Sequence, residues 1–461
     1  MFEQSGQQSP VPAASLRRGL SLRHILFIAL GSAIGTGLFY GSASAISFAG
    51  PSVILAYLLG GAAVFMVMRA MGEMALAHPV SGAFSEYATR YLGRWAGFVT
   101  GWTYAFEMAL VAIADCTAFA IYMKLWFPST PAWVWIASVI LLIMVINLVQ
   151  VKAFGESEFW FTAIKVAAIV AMIVGGILLM IFGVQLHSDV PASPANLWNQ
   201  GGFFAHGLTG FLACFTVVMF AFGGIETIGV AAGEAENPSQ SIPKAVNTTP
   251  VRILLFYVLT LTVIMSLYPW SDIDGQASPF VQIFEGLGIS WAADLLNFVV
   301  ITAAVSAINA DVYGAGRMLY GLSTRGLAPR SFGAVAKNGT PYMTVVCMGL
   351  VMVLGVLANH FFENAFLVVA SLATFATVMV WIMILISHLA FKRELARSGA
   401  SSQFPSPGWP LASWAALAFM LAVLVLFAFF PDTRLALIVG VIWSALLFLI
   451  YRLSVRQEKQ A

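Results

Sequence analysis

The sequence predicts an all-α integral membrane protein with about twelve transmembrane helices. Hydrophobic residues make up 60% of the 461 residues and charged residues only 9%, whereas a soluble domain carries roughly 25% charged residues. Apolar stretches of about 20 residues, the length that spans a bilayer, recur along the whole chain. The alternating segments of about 10 residues that build transmembrane β-barrels are absent from the sequence. Composition and spacing therefore exclude a soluble protein and a barrel.

Hydropathy gives the predicted helices approximate bounds, and we number them in chain order. They cover residues 22–45, 51–74, 95–126, 132–151, 158–183, 206–233, 251–270, 289–316, 342–359, 364–390, 410–430 and 434–452. Residues 1–20 are polar and lack the features of a cleavable signal peptide, so we expect a flexible cytoplasmic tail. The three cysteines, Cys116, Cys214 and Cys347, fall inside predicted helices, which indicates packing residues rather than disulfides.

Positive charge is distributed unequally between the two sides of the predicted helices. With the N-terminus inside, the outer loops contain only Lys124 and Arg434, and Lys165 lies within a helix. The other Lys and Arg residues collect on the inner side. Because loops on the cytoplasmic side of membrane proteins carry such an excess, we expect both termini in the cytoplasm.

Five ionisable residues fall at mid-span, where a bilayer tolerates them only inside a bundle or a water-filled cavity. They are Glu107 and Asp115 on the third helix, Lys165 on the fifth, Glu226 on the sixth and Asp311 on the eighth. Glu107 and Asp115 are about 80° apart around a helix of 3.6 residues per turn, so they can line one cavity. Structural pairing inside the bundle is the alternative. Four other glutamates fall in predicted inner loops and are expected to be solvated: Glu156, Glu158, Glu234 and Glu236.

Two predicted helices contain flexible small residues at the depth where a helix should be regular. The first contains GSAIGTG, Gly31–Gly37, and the sixth contains FAFGGIE, Phe220–Glu226. Unwound backbone is tolerated inside a membrane only where it is buried in protein or lines a cavity. Close helix packing through small residues is the alternative, and Gly31 and Gly35 have the spacing for it.

The two interruptions occupy corresponding positions of two halves, which is typical of transporters with inverted repeats. We therefore predict a 5+5 inverted repeat with helices 1–5 in residues 21–200 and helices 6–10 in residues 201–400. Residues 401–461 would form two peripheral helices and a cytoplasmic C-terminus. The division rests on motif positions, because the sequence shows no direct internal repeat.

Paired helix breaks favour a ligand that carries one negative and one positive charge. An exposed helix N-terminus offers N–H groups to an anion, whereas exposed carbonyl groups attract a cation. Gly35, Thr36 and Gly37 can hold a carboxylate, and the carbonyl groups of Phe220–Ile225 can hold an amine. An amino acid fits this pair of breaks. A phosphate loop is excluded, since GSAIGTG lacks the Gly-Lys-Ser/Thr ending and the strand-to-helix context.

Motifs along nearly the whole chain resemble the amino acid–polyamine–organocation superfamily, in particular its bacterial amino acid permeases. They include RRGLSLRHILFIALGSAIGTGLFYGSA, AGPSVILAY, GEMA, GRWAGFVTGWTY, FGESEFWFTAIKV, GGIE, GEAENPSQSIPKA, SAIN and RMLYGLSTRGLAP. FEMALVAIADCTAFAIYM and SAINADVYG look most similar to proline and histidine permeases, whereas GABA, lysine and aromatic permeases look more distant.

The resemblance implies roles for individual residues. The main chain from Ile34 to Gly37 would cradle the substrate carboxylate, and Phe220 would form an aromatic gate. Lys165 matches a lysine that looks like it replaces the sodium ion of related carriers, which implies proton coupling, and Glu226 matches an acid associated with substrate or proton binding. The substrate site would also include these residues: Ser32, Gly35, Thr36, Glu107, Asp115, Ala221, Gly223, Gly224, Ile225 and Asp311.

We therefore expect proton-coupled import of an L-amino acid across the bacterial inner membrane by alternating access. Glu107, Asp115 and Asp311 map onto pocket positions that vary among permeases, and the extra acids favour histidine as substrate, with proline next. Another neutral or aromatic amino acid, exchange instead of net import, and a membrane amino acid sensor stay open. A channel and an enzyme are disfavoured, since no continuous polar pore, catalytic nucleophile and base, or metal-ligand spacing is present. The expected partners are the substrate and the bilayer, without a cofactor, nucleic acid or obligate protein partner.

Overall fold

The computed structural model describes residues 19–80, 82–148, 151–183, 190–273, 278–281, 290–336, 338–359 and 365–458. Within these ranges the chain is almost entirely helical, and its only β-type pairing is an isolated bridge between Leu20 and Ala235. The predicted tail, residues 1–20, lies outside the described residues except for Gly19 and Leu20.

Twelve long or interrupted helices follow one another along the described part of the chain. Helix 1 comprises Leu22–Ala33, Thr36–Phe39 and Gly41–Ala49, and helix 6 comprises Gly207–Ala213, Phe215–Val218, Met219–Phe222 and Thr227–Ala231. The others are helix 2 (Val53–Ala77), 3 (Arg94–Trp126), 4 (Ala132–Leu148), 5 (Val151–Ile181), 7 (Pro238–Leu267), 8 (Ser290–Thr324), 9 (Tyr342–Asn359), 10 (Ala365–Ser398), 11 (Leu411–Phe429) and 12 (Arg434–Glu458). A short helix, Ala83–Leu92, connects helices 2 and 3.

The described residues provide ten helical segments long and apolar enough to cross a membrane. Helix 4 and the apolar part of helix 9 are shorter, at Ala132–Leu148 and Tyr342–Leu357. The predicted class, an all-α membrane protein with about twelve helices and breaks in the first and sixth, is confirmed.

Helix 7 begins 13 residues before its predicted start at residue 251, and its first turns are polar. Pro238 occupies the first turn, where an N–H group would have no acceptor within the helix. The lack of an N–H group in proline therefore costs no helical hydrogen bond there. The amide of Ser241 donates to the Asn237 carbonyl at 3.0 Å and closes that turn. Hydropathy detects only the membrane-embedded part of such a helix, so the predicted start was too late.

Corresponding helices of the two halves pack against each other. Helix 3 packs along helix 8, helix 2 along helix 7, and the broken helix 1 against the broken helix 6. Helix 3 also packs along helix 10, and helix 1 along helix 5. Helices 11 and 12 are peripheral, and 33% and 17% of their apolar windows are buried, against 72% for helix 3. Helix 5 is exposed to a similar extent, with 28% of its window buried.

The two broken helices are tied together at the ends that lie beside Gly19. The amides of Gly19 and Leu20 both donate to the Glu234 carbonyl at 3.1 Å, and the Glu236 amide donates to the Leu20 carbonyl at 3.0 Å. Residues just before helix 1 thus pair with the segment that follows helix 6. These main-chain bonds hold the two ends in register.

The expectation that Glu234 is solvated was wrong. Its side chain is 1% exposed and accepts a hydrogen bond from Arg317 Nε at 2.9 Å and from the Tyr313 hydroxyl at 3.2 Å. A buried carboxylate needs such partners to offset its lost hydration. Both partners belong to helix 8, so Glu234 joins helix 8 to the end of helix 6.

A second ion pair closes the same side of the molecule. Arg325, just after helix 8, donates from Nη1 to Glu86 Oε2 at 2.7 Å and from Nη2 to Ser85 Oγ at 3.0 Å. Burial lowers the pKa of Arg325, while Glu86 raises it. Because an arginine stays protonated across the physiological range, this contact persists as an ion pair and joins helix 8 to the short helix before helix 3.

Candidate functional site

The breaks in helices 1 and 6 meet main chain to main chain. A Cβ atom built on Gly37 would lie 2.6 Å from the Ala221 Cα atom, and one built on Gly224 would lie 2.9 Å from the Ser32 carbonyl oxygen. Gly224 has a φ of +87°, a conformation that side chains disfavour. Only glycine fits either position without displacing the opposite break.

A tyrosine that sequence reasoning missed connects the two breaks. The hydroxyl of Tyr257, on helix 7, lies 2.6 Å from the Ala33 carbonyl oxygen and 2.6 Å from the Ala221 carbonyl oxygen. Unwinding frees carbonyl groups at the end of each helical piece, and this hydroxyl lies within hydrogen-bond distance of one carbonyl group from each break. An aromatic residue in an apolar helix gives no signal of this role, because its partners are main-chain atoms.

The main-chain groups of the breaks differ in availability. The Ile34 amide donates to the Leu30 carbonyl, and the Gly35 amide to the Ala33 carbonyl. Helix 1 resumes at Thr36, and the first N–H groups of a helix have no partner within it. Thr36 and Gly37 therefore present N–H groups at the point where the carboxylate cradle is predicted.

Several of the carbonyl groups predicted to bind an amine accept hydrogen bonds from the protein. The Phe220 carbonyl accepts from the Gly223 amide at 3.0 Å, the Gly224 carbonyl from the Thr227 amide at 3.0 Å, and the Ala221 carbonyl lies against Tyr257. A carbonyl oxygen has two lone pairs, so each retains one for a further donor. The predicted amine-binding stretch, Phe220–Ile225, is thus partly occupied by internal bonds.

Lys165 extends from helix 5 to the break in helix 1. Its side chain is 0% exposed, and Nζ donates to the Gly31 carbonyl at 2.6 Å, the Ile34 carbonyl at 2.9 Å and Ser306 Oγ at 2.9 Å. An ammonium group has three N–H donors, and three acceptors surround this one. The lysine therefore joins helices 1, 5 and 8 at the break.

Glu158 belongs to the same cluster, and the expectation that it is a solvated loop residue was wrong. It lies on helix 5 with 0% exposure, accepts from the Ser306 hydroxyl, and accepts from Asn309 Nδ2 at 3.3 Å. Asn147 on helix 4 donates to Asn309 Oδ1 at 2.8 Å. The sequence signal was the spacing Glu158–Lys165, two turns apart on one helix face.

Asp115 and Asp311 lie near Lys165 on helices 3 and 8, which pack along each other. Asp115, on helix 3, accepts a hydrogen bond from the Thr36 hydroxyl in the helix 1 break. Its Oδ2 atom and the Oδ2 atom of Asp311 are buried without a hydrogen-bond partner among the described residues. Both carboxyl groups are close enough to Lys165 to interact electrostatically with it. The two acids thus have spare acceptors beside the breaks.

Glu107 and Glu226 form a separate cluster beside the helix 6 break. Glu226 accepts from the Gly224 amide at 3.2 Å and from Trp381 Nε1 at 3.1 Å. Glu107 accepts from the Thr377 hydroxyl at 2.6 Å, and its carboxyl group is a direct neighbour of Glu226. Trp381 and Thr377 lie on helix 10, which sequence reasoning did not connect with the site.

Phe220 lies in an aromatic cluster at the other end of the breaks from Glu226. Its ring meets that of Phe366 edge-on with centroids 5.9 Å apart, and Phe366 meets Tyr40 edge-on at 4.6 Å. Tyr122 contacts Tyr40 in turn, with centroids 6.2 Å apart. These rings come from helices 1, 3, 6 and 10, and the cluster covers the break on that side.

Comparison with known proteins agrees with this geometry. The family model for amino acid permeases matches residues 24–461. The uncharacterized amino acid permease YtnA of Bacillus subtilis is 45% identical over 438 residues, which cover 95% of this chain and 94% of that protein. The aromatic amino acid transport protein AroP of Escherichia coli K12 is 44% identical over 96% of this chain and 97% of its own length. The amino-acid permease AapA of B. subtilis is 43% identical over 96% of each.

Proposed function

Because this chain belongs to the amino acid permease family, we propose that it imports an L-amino acid by alternating access, driven by protons, with histidine as the first candidate and proline next. The family establishes a multi-pass membrane permease rather than an enzyme. The proton, the substrate and the inward direction across a bacterial inner membrane, with both termini in the cytoplasm, are our proposal.

One observation carries the proposal, namely two facing helix breaks that share Tyr257, the first of which also contacts Lys165. Thr36 and Gly37 offer N–H groups, and the facing break offers carbonyl groups around Ala221. A carboxylate and an amine on one carbon atom match that pair. This arrangement supports an amino acid as the ligand without selecting its side chain.

Proton coupling is supported by the position of Lys165. Its ammonium group bonds to Gly31 and Ile34, which lie at the end of the first helical piece. Loss of the proton from Lys165 would remove a positive charge and one donor from these carbonyl groups. The conformation of the helix 1 break would then depend on protonation, which is the requirement for a proton-driven carrier.

Histidine is favoured by the acids beside the breaks. Asp115 and Asp311 have buried Oδ2 atoms without hydrogen-bond partners among the described residues. An imidazole supplies one N–H donor when neutral and two when protonated, whereas the side chain of proline supplies none. AroP, a relative named for aromatic amino acids, supports the alternative of an aromatic substrate.

Uptake by purified protein in proteoliposomes tests this proposal. An inward proton gradient should drive accumulation of labelled histidine, and unlabelled histidine should compete better than proline, phenylalanine or other amino acids. Preferential competition by aromatic amino acids would identify an aromatic amino acid, and not histidine, as the substrate. Accumulation that ignores the pH gradient would contradict proton coupling, uptake only against internal amino acid would show exchange, and binding without uptake would indicate a sensor.

A further inference from the structure

Glu107 and Glu226 are two buried carboxyl groups that meet without a cation between them. Both side chains are 0% exposed, and neither makes a salt bridge with Lys or Arg within the described part of the chain. Their carboxyl groups interact directly across the interface of helices 3 and 6. Two adjacent buried carboxylates repel each other strongly and cannot both be charged without compensation.

The donors around the pair are unequally distributed. Glu226 receives two N–H bonds, from Gly224 to Oε1 and from Trp381 to Oε2. Glu107 receives one hydrogen bond, from the Thr377 hydroxyl to Oε1. Its Oε2 atom is buried with no hydrogen-bond donor among the described residues. Hydrogen bonds to a carboxylate favour its charged form. Glu226 is therefore the acceptor of the pair, and the bare oxygen of Glu107 is the place for a proton.

The other groups facing the pair supply no positive charge. Helix 3 presents the Tyr104 hydroxyl, helix 8 presents Asp311, and helix 10 presents Thr377 and Trp381. Asp311 is a further acid in the surroundings of Glu107 and cannot supply a positive charge. These described groups are all neutral or acidic, so a proton is the simplest compensation.

We propose that Glu107 and Glu226 hold one proton between them and form a second protonation site, distinct from Lys165. Glu226 also bonds to the amide of Gly224, the residue with φ +87° in the helix 6 break. When the proton leaves, the two carboxylates repel each other, and the bond from Gly224 to Glu226 is strained. The conformation of the helix 6 break would then depend on this proton, as that of the helix 1 break depends on the proton of Lys165. The site deepens the proposed proton coupling and rests on it.

Infrared difference spectroscopy tests the site in substrate-free protein held in lipid nanodiscs. Stepping from acid to alkaline pH should remove a carbonyl-stretch band of a buried protonated carboxyl group. Glu107→Gln should abolish this band, and the double variant should lose the same single band. Glu226→Gln leaves the carboxyl group of Glu107 in place, so it should keep the band but move its loss to lower pH, because the neighbouring negative charge is removed. Asp294→Asn removes an exposed carboxylate that bonds to Trp126 and is the matched control; its spectrum should keep the band.

A variant that does not break the pair protects the test against misfolding. Thr377→Val removes only the hydroxyl that bonds to Glu107 and should shift the frequency of the band without abolishing it. A band that survives Glu107→Gln, or a pH of band loss that Glu226→Gln leaves unchanged, would overturn the shared proton. Because no substrate is used, either result leaves the uptake experiment free to support or reject import on its own.

Discussion

Lys165 places an ammonium group against the main chain of the helix 1 break. Its three acceptors include two carbonyl groups of the helix 1 break and the Ser306 hydroxyl, whose own proton goes to Glu158. A hydrogen bond involving a charged group contributes about 1.5–3 kcal/mol. The lysine therefore matters both for the shape of the break and for the charge beside it.

Replacing Lys165 by Ala should abolish uptake driven by a pH gradient while the protein stays inserted in the membrane. The variant lacks the ammonium group that links protonation to Gly31 and Ile34. Uptake at several imposed gradients measures this, with Lys124→Ala as the control, because Lys124 is an exposed lysine at the end of helix 3. Full concentrative uptake by Lys165→Ala would refute the coupling role.

Tyr257→Phe should lower the stability of the protein by about 1–3 kcal/mol, the cost of leaving a buried polar group without its partner. The hydroxyl is lost while the ring that packs on Tyr57 is kept. Thermal unfolding in detergent measures the change. Tyr342→Phe, at a tyrosine that is 40% exposed, should leave the unfolding temperature unaltered; equal effects would mean that the two bonds to the breaks contribute nothing.

At the scale of elements, the breaks depend on glycines that allow two backbones to touch. The sequence indicated both breaks, because small residues at mid-span are conspicuous in apolar helices. It did not indicate Tyr257, Thr377 or Trp381, since these residues act through main-chain atoms or through side chains distant in sequence. Pattern reasoning finds the interrupted helix, whereas the partner that satisfies it requires coordinates.

Gly37→Ala should weaken substrate binding and destabilise the protein by about 1–3 kcal/mol, as overpacking does. The added methyl group would lie 2.6 Å from the Ala221 Cα atom of the opposite break. Gly175→Ala on helix 5 is the matched control, because nothing lies within 4 Å of its added Cβ atom. Binding measured by calorimetry should fall only in Gly37→Ala, and unchanged affinity would reduce the predicted cradle to a packing contact.

At the scale of the molecule, helix count and breaks were predictable because bilayer thickness and the cost of bare backbone constrain them. The burial of Glu158 and Glu234 was not predictable from hydropathy. Each sits near the end of an apolar stretch, and its partners, Asn309 and Arg317, belong to helix 8. A polar residue at a helix end is read as solvated until the facing helix is known.

Topology offers a prediction about the whole chain. If the arginine-rich side is cytoplasmic, a cysteine introduced by Ser129→Cys between helices 3 and 4 should react with an impermeant maleimide added to intact cells. One introduced by Ser401→Cys between helices 10 and 11 should react only after the membrane is opened. Of the native cysteines, Cys116 and Cys214 are buried, whereas Cys347 is partly exposed and is first replaced by Ala to remove its background. The reverse pattern would invert the orientation.

The hydroxyl of Tyr257 has one further consequence for the two breaks. A phenol carries a single hydrogen, yet this one is equally near a carbonyl oxygen of each break, at 2.6 Å. At any instant one carbonyl receives the hydrogen and the other has only the oxygen beside it. The two breaks therefore compete for one hydrogen. A donor that binds one of these carbonyl groups leaves the Tyr257 hydrogen free to bond to the other. Rotation of one O–H bond thus couples binding at one break to the hydrogen bonding of the other.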